Sequence, residues 1–153
     1  MSETVVNNEK KQYIVVYIGN ERYGIDIQYV DNIVRKQRIT RVPKAQDYFP
    51  GVINIRGEII PVMSLRVRFG LNQDEFTNHT RILIIKIEPQ AAVGIIVDEV
   101  KNVVTLSEDE IDHVTNTDDE KAIYISGVGK HEEGLVTILN LQNVIIDKDQ
   151  QDK

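Results

Sequence analysis

Short apolar runs rich in Val and Ile recur along the chain, separated by polar or glycine-bearing joins. β-branched runs of this length favour strands over helices. The clearest pair covers residues 52–55 and 59–63, joined across Arg56-Gly57-Glu58. It predicts a tight hairpin in which Gly57 takes the unusual backbone angles. Pro61 lies inside the second run and predicts an edge or a bulge there. Upstream, strands are predicted at 13–18 and 23–27 around the turn Gly19-Asn20-Glu21. Tyr29, Val30, Ile33 and Val34 have near-helical spacing, which predicts a short helical turn feeding a strand. A short strand is expected at 39–42, ended by Pro43, with a connection over 44–50. Ser64 stands as an N-cap before a helical turn at 65–69, and Gly70 stops it. Beyond the polar stretch 72–80, strands are expected at 82–87, 93–97, 103–106, 122–128 and 135–139. Asn140 would cap a last helix running to about 146. Residues 107–121 are acidic and are expected to form a mobile excursion.

The second half repeats the first. Tyr23-Gly24-Ile25-Asp26-Ile27 lies over Val93-Gly94-Ile95-Ile96-Val97 at an offset of 70, and the match continues to Val34 over Val104. Further on, Ile59-Ile60-Pro61-Val62-Met63-Ser64-Leu65 lies over Leu135-Val136-Thr137-Ile138-Leu139-Asn140-Leu141 at an offset of 76. The change of six implies an insertion, for which the acidic excursion is the natural place. The chain therefore reads as two copies of a small β-unit, each of about five strands and a helix. Such units suggest barrels or a sandwich. A unit of about 70 residues is marginal alone, so the copies should pack together and leave a groove, a common place for binding.

Composition narrows the function. The chain has 153 residues, 41% hydrophobic and 27% charged, which is a globular balance. A net charge of −6 argues against a general nucleic-acid or anionic-membrane surface, although Arg35-Lys36-Gln37-Arg38 is a local basic patch. There is no cysteine, so disulfides and thiolate metal sites are ruled out. No apolar run approaches the roughly 20 residues of a spanning helix, and the N-terminal stretch has no apolar signal core. A soluble, cytoplasmic protein is expected, with any membrane role indirect.

Catalytic readings fail. His79, His113 and His131 share no metal-binding spacing, and Ser64 is not in a nucleophile elbow. Gly127-Val128-Gly129-Lys130 lacks the upstream glycine and the hydroxyl residue of a phosphate loop, and it sits between strands. The carboxylates of 107–120 offer no acid–base pair. No enzyme activity, metal or cofactor is expected. Nucleic-acid binding by a small barrel would want cations interleaved with exposed aromatics, and aromatics are only 6%. What remains is a binding module using strand edges and the groove between copies.

The ordered set RYGIDIQYVDNI, ITRVP, YFPGVINIRGEIIPVMSLRVRFG, RILIIKI, VGIIVDEV and YISGVGK resembles the CheW family of chemotaxis coupling proteins, from about Gln12 to Ile146. The resemblance implies a mostly β fold of two pseudo-repeated, five-stranded, Src-homology-like barrels side by side, with short helices after each. It divides the chain into a tail at 1–11, a first barrel at 12–71, a linker at 72–80, a second barrel with its helix at 81–147 and a tail at 148–153. It also implies a scaffold between the tips of transmembrane chemoreceptors and the regulatory domain of the histidine kinase CheA. By position, the receptor groove would include Val30, Asn32, Arg56, Val93, Gly94 and Val103, with Asn54 and Gly57 in the signature turn. Ser64 and Asn140 are the helix N-caps.

Three positions depart from the family pattern. The family often has an acid at the place of Asn32, able to pair with the arginine; here Asp31 or Glu58 would have to serve. Asp is common where Ser64 and Asn140 stand, and both replacements still cap. Two roles are open for Arg56: a turn cation paired with Glu58, or a direct interface residue. Val30 and Val103 could equally be core or groove. The alternatives are the same scaffold in a non-chemotaxis complex, a CheV-like relative, or a small-barrel nucleic-acid binder.

Overall fold

In the computed structural model, residues 9–88, 91–113 and 123–145 are described. The strands are β1 (Lys10–Ile18), β2 (Glu21–Asp26), β3 (Val30–Arg35), β4 (Gly51–Ile55), β5 (Glu58–Ser64), β6 (Arg81–Glu88) and β7 (Ala91–Val97), then β8 (Glu99–Ser107), β9 (Ile111–His113), β10 (Ile125–His131) and β11 (Gly134–Leu139). Two short helices, α1 (Leu65–Arg68) and α2 (Leu141–Ile145), follow β5 and β11. The fold is mostly β, in two curled sheets.

One sheet runs β8-β1-β2-β11-β10-β9 and the other β3-β6-β7-β5-β4. Shifted by the offsets of 70 and 76, β3, β6, β7, β5 and β4 fall on β8, β1, β2, β11 and β10, so the two sheet orders coincide. The sheets do not follow the contiguous units 12–71 and 81–147 expected from the sequence. The six-stranded sheet takes two strands from the first half and four from the second, and the five-stranded sheet takes three from the first and two from the second. The parallel pairs make the exchange explicit: Val62 of β5 pairs with Gly94 of β7, and Ile138 of β11 pairs with Gly24 of β2.

The surplus strand is β9, which falls in the acidic stretch. Residues 107–113 are thus built into the fold: the Ser107 backbone N–H donates to Glu110 Oε1 at 2.8 Å and its hydroxyl donates to the same oxygen at 2.9 Å, in a capping box, and β9 pairs with β10. The rest of that excursion lies outside the described residues. In the other sheet the equivalent of β9 shrinks to one bridge, Thr40 with Val52, in place of the expected strand at 39–42. Pro61 is not on an edge, because β5 lies between β7 and β4. Its ladder to β7 begins only at Val62, so the missing N–H falls outside that ladder.

Strand periodicity distributes the core. Along β1, Tyr13 and Val15 enter one cluster while Ile14, Val16 and Ile18 enter another. Along β6, Ile82 and Ile84 separate in the same way from Leu83 and Ile85. Three cores result: one inside each curled sheet and a third, holding Ile25, Met63, Leu65, Ile95 and Val144, in the seam between them. Burying each such Ile or Leu contributes roughly 1.5–3 kcal/mol. The centre of the seam is therefore packed solid, and any groove must lie along its border.

Candidate functional site

The β4–β5 hairpin closes through Arg56 and Gly57, whose φ angles of 54° and 88° are both positive. Two successive positive φ values make the tight turn whose twist matches paired strands. Asn54 Oδ1 accepts from Gly57 N–H at 2.9 Å and fixes the turn. Arg56 is exposed, in a left-handed conformation that non-glycine residues rarely adopt. Among the described residues it forms no ion pair, neither with Glu58 nor with Asp31, which lies 3.8 Å from Lys86.

Four of the expected groove residues lie on adjacent strands. Val30 pairs with Ile85 and Ile85 with Val93, giving one row across β3, β6 and β7. The next row runs Asn32, Ile84, Gly94 and Val62. A register shift between Val30 and Asn32 bulges β3 there, which re-aims its side chains. Val30 and Val93 are half-buried against the seam. Asn32 is exposed and turns its Oδ1 back to the amide of Ile33 at 2.8 Å. Gly94 is buried, and a Cβ there would meet Ile82 Cγ2 at 2.8 Å. Val103 sits apart, on β8 opposite Ile14 in the other sheet, and is 47% exposed.

An apolar cavity of about 420 Å³ opens along the border of the seam, lined by Ile85, Ile87 and Val93 from β6 and β7 and by Gln142 and Ile145 from α2. A second depression, of about 320 Å³, shares Ile87 and Gln142 and reaches Tyr13, Tyr29 and His113. Ile87 and Gln142 form the wall between them. Among the described residues, no group of three His, Cys, Asp or Glu side chains could hold a metal ion, and no helix is long and apolar enough to cross a membrane.

The family profile described as a CheW-like domain matches residues 12–149. This chain belongs to the CheW family. The chemotaxis protein CheW of Bacillus subtilis is 35% identical over 150 residues, covering 97% of this chain and 94% of that protein. The chemotaxis protein CheW of Helicobacter pylori is 34% identical over 139 residues, 91% and 84% of the two chains. The crystal structure of the scaffolding protein TtCheW from Thermoanaerobacter tengcongensis superposes with a TM-score of 0.81 at 31% identity, covering 91% of this chain and 94% of that one. Scaffolding in chemotaxis is thus the family's role.

Two departures from the CheW pattern acquire a structural account. Ser64 Oγ accepts from Val67 N–H at 3.2 Å and also donates to Asp74, so a carboxylate from the 72–80 stretch supplies the charge that an aspartate would bring to the cap. Burial raises the Asp74 carboxyl above its ordinary range, partly offset by the Ser64 bond. Asn140 caps α2 through Asn143 N–H at 3.1 Å.

A clasp that sequence reasoning missed joins both halves of this CheW chain. Arg66 of α1 grips Asp98 with contacts of 2.9 and 2.5 Å, and Asp98 accepts from Gly19 N–H at 2.7 Å. Burial pushes Asp98 up, but the bonds from Arg66 and Gly19 outweigh it and leave the carboxyl below its ordinary range. Ile87, Gln142 and Ile145 were also missed, because the sequence gives no sign that α2 folds back beside β6. Ile33, 39% exposed, was missed too, although it matches Val103 at the offset of 70.

Proposed function

We propose that this CheW-family chain is a non-enzymatic adaptor, coupling the cytoplasmic tips of transmembrane chemoreceptors to the regulatory domain of the histidine kinase CheA. It works in the cytoplasm and reaches the membrane only through receptors. The observation that carries this reading is the apolar groove where α2 meets β6 and β7, bordered by Val93. An amphipathic helix binds by laying its apolar face into such a groove. Val30 continues the Val93 row on the outer strand, and Arg56 offers at a hairpin tip a cation that pairs with no acid among the described residues. Kinase contact then falls to exposed sheet edges.

The test mixes purified protein with a receptor-tip fragment and a kinase regulatory-domain fragment, separately and together. Both binary complexes and a ternary one are expected. Arg56→Ala and Val103→Glu should weaken receptor capture and leave the thermal midpoint near that of the parent. Full capture by both variants would remove those two residues from the site, and absence of either binary complex would end the coupling role.

A further inference from the structure

The connection from β3 toward β4 carries five cations in ten residues, Arg35, Lys36, Arg38, Arg41 and Lys44, and no acid. The other 143 residues hold 13 basic side chains against 24 acidic ones. The equivalent connection in the second half has the opposite sign, with Glu108, Asp109, Glu110 and Asp112. The same place in two matched units thus carries opposite charge.

All five cations are exposed, and among the described residues none has an ion-pair partner. The flanking acid Asp31 faces Lys86 instead. Arg35 also sits opposite Arg81 across the β3–β6 ladder, and Arg81 turns its guanidinium to the carbonyls of Asn78 and Thr80. Crowded like charges repel, so this cluster costs stability in the free protein.

The strip is held in place. Thr40 and Val52 exchange two backbone bonds of 2.8 Å each, which anchors the strip at its middle to the outside of β4, the last strand of its sheet. Gly51 permits that approach, since a Cβ there would lie 2.1 Å from the Thr40 carbonyl oxygen. Ile39 packs inward on the sheet's own core while Val42 is 43% exposed. Apart from Thr40, the backbone of 36–44 makes no backbone hydrogen bond to other described residues.

We infer that residues 35–44 are a docking strip for an acidic segment of a partner protein, taken up in extended form beside β4. Unpaired backbone at a sheet margin accepts an added strand. Arginine forks then pair with carboxylates on that strand. The inference does not rest on the coupling role: failure of the receptor and kinase mixtures leaves it intact.

The experiment is an anisotropy titration with a labelled ten-residue peptide in which Glu alternates with Thr. Saturable binding that weakens with added salt is expected. Arg38→Gln/Arg41→Gln and Lys36→Gln/Lys44→Gln should each weaken it by about tenfold, the scale of one or two lost charge-assisted bonds. Lys130→Gln should bind as the parent does. Unchanged affinity in both double variants overturns the strip. The same Glu/Thr peptide methylated at every backbone nitrogen, which cannot donate backbone bonds, should bind weakly; equal binding overturns the extended docking. Equal affinity for single-stranded DNA or phosphatidylserine vesicles overturns the choice of a protein partner.

Discussion

Arg68 of α1 donates from Nε to the carbonyl of Val144 in α2 at 3.1 Å, and these two residues are each other's counterparts, 76 positions apart. The guanidinium also lies 4.2 Å from the centre of the Tyr48 ring and 5.2 Å from that of Tyr124, another pair separated by 76. Those tyrosines tie down the helix starts in the same way: Ser64 N–H donates to Tyr48 O at 2.7 Å and Asn140 N–H to Tyr124 O at 2.8 Å. One arginine thus serves both copies where they meet.

Arg68→Lys keeps the charge but loses the flat ring contact and the Nε donor. A loss of about 1–3 kcal/mol is expected, from the scale of a partly desolvated cation–π contact plus a hydrogen bond to a charged group. Urea unfolding checks it. An unshifted midpoint would mean that the contact contributes nothing.

Gly24 and Gly94 occupy matched places, and a Cβ at either would collide: 2.9 Å from Val136 Cγ1 for the first, 2.8 Å from Ile82 Cγ2 for the second. Each →Ala change should cost about 1–3 kcal/mol, the usual range for overpacking. Similar losses at both sites would show that the copies are equivalent in energy as well as in shape. Calorimetry of the two single variants makes the comparison.

The left-handed turn position favours Asn or Gly over Arg. Arg56→Asn should therefore stabilise the hairpin by up to about 1 kcal/mol, read as a higher thermal midpoint. The same variant should capture less receptor tip. A gain in stability with undiminished capture would mean that the cation is not used in binding.

Asp74 and Asp98 respond to pH with opposite sign. The folded-state value of Asp74 is raised, so its contribution to stability is present below the unfolded value of about 3.9 and is lost as pH rises through the folded value. Asp74→Asn should consequently gain on the parent as pH rises toward neutrality. Asp98 is lowered, so its contribution is present above the unfolded value and lost as pH falls through the folded one. Arg66→Gln should lose stability at neutral pH and lose little in strong acid. Thermal midpoints across a pH series measure both differences.

The hairpin, the caps and the repeat were legible in the sequence because each rests on a local signal: Gly57 at a turn, Ser64 and Asn140 before helical runs, and constant spacing between Gly24 and Gly94. The exchange of strands was not. IVVYI in β1 and ILII in β6 read as continuous apolar runs because both faces are buried, one in a sheet interior and one in the seam. Such runs carry no alternation to say which strand lies beside which. Pro61 misled for a related reason: its place in the sheet depends on where the β5–β7 ladder starts, which only the folded chain defines. Within the groove, Val93 could be named from its motif, but Gln142 and Ile145 enter through the path of the chain after β11.

Strand exchange sets the unit of folding. Cutting at the 72–80 stretch would give a first piece whose β1–β2 hairpin has lost β8 and β11, and whose β3, β4 and β5 have lost β6 and β7. Neither piece could close a sheet by itself. Both halves must therefore be present before either sheet is complete, which makes the whole chain one cooperative unit.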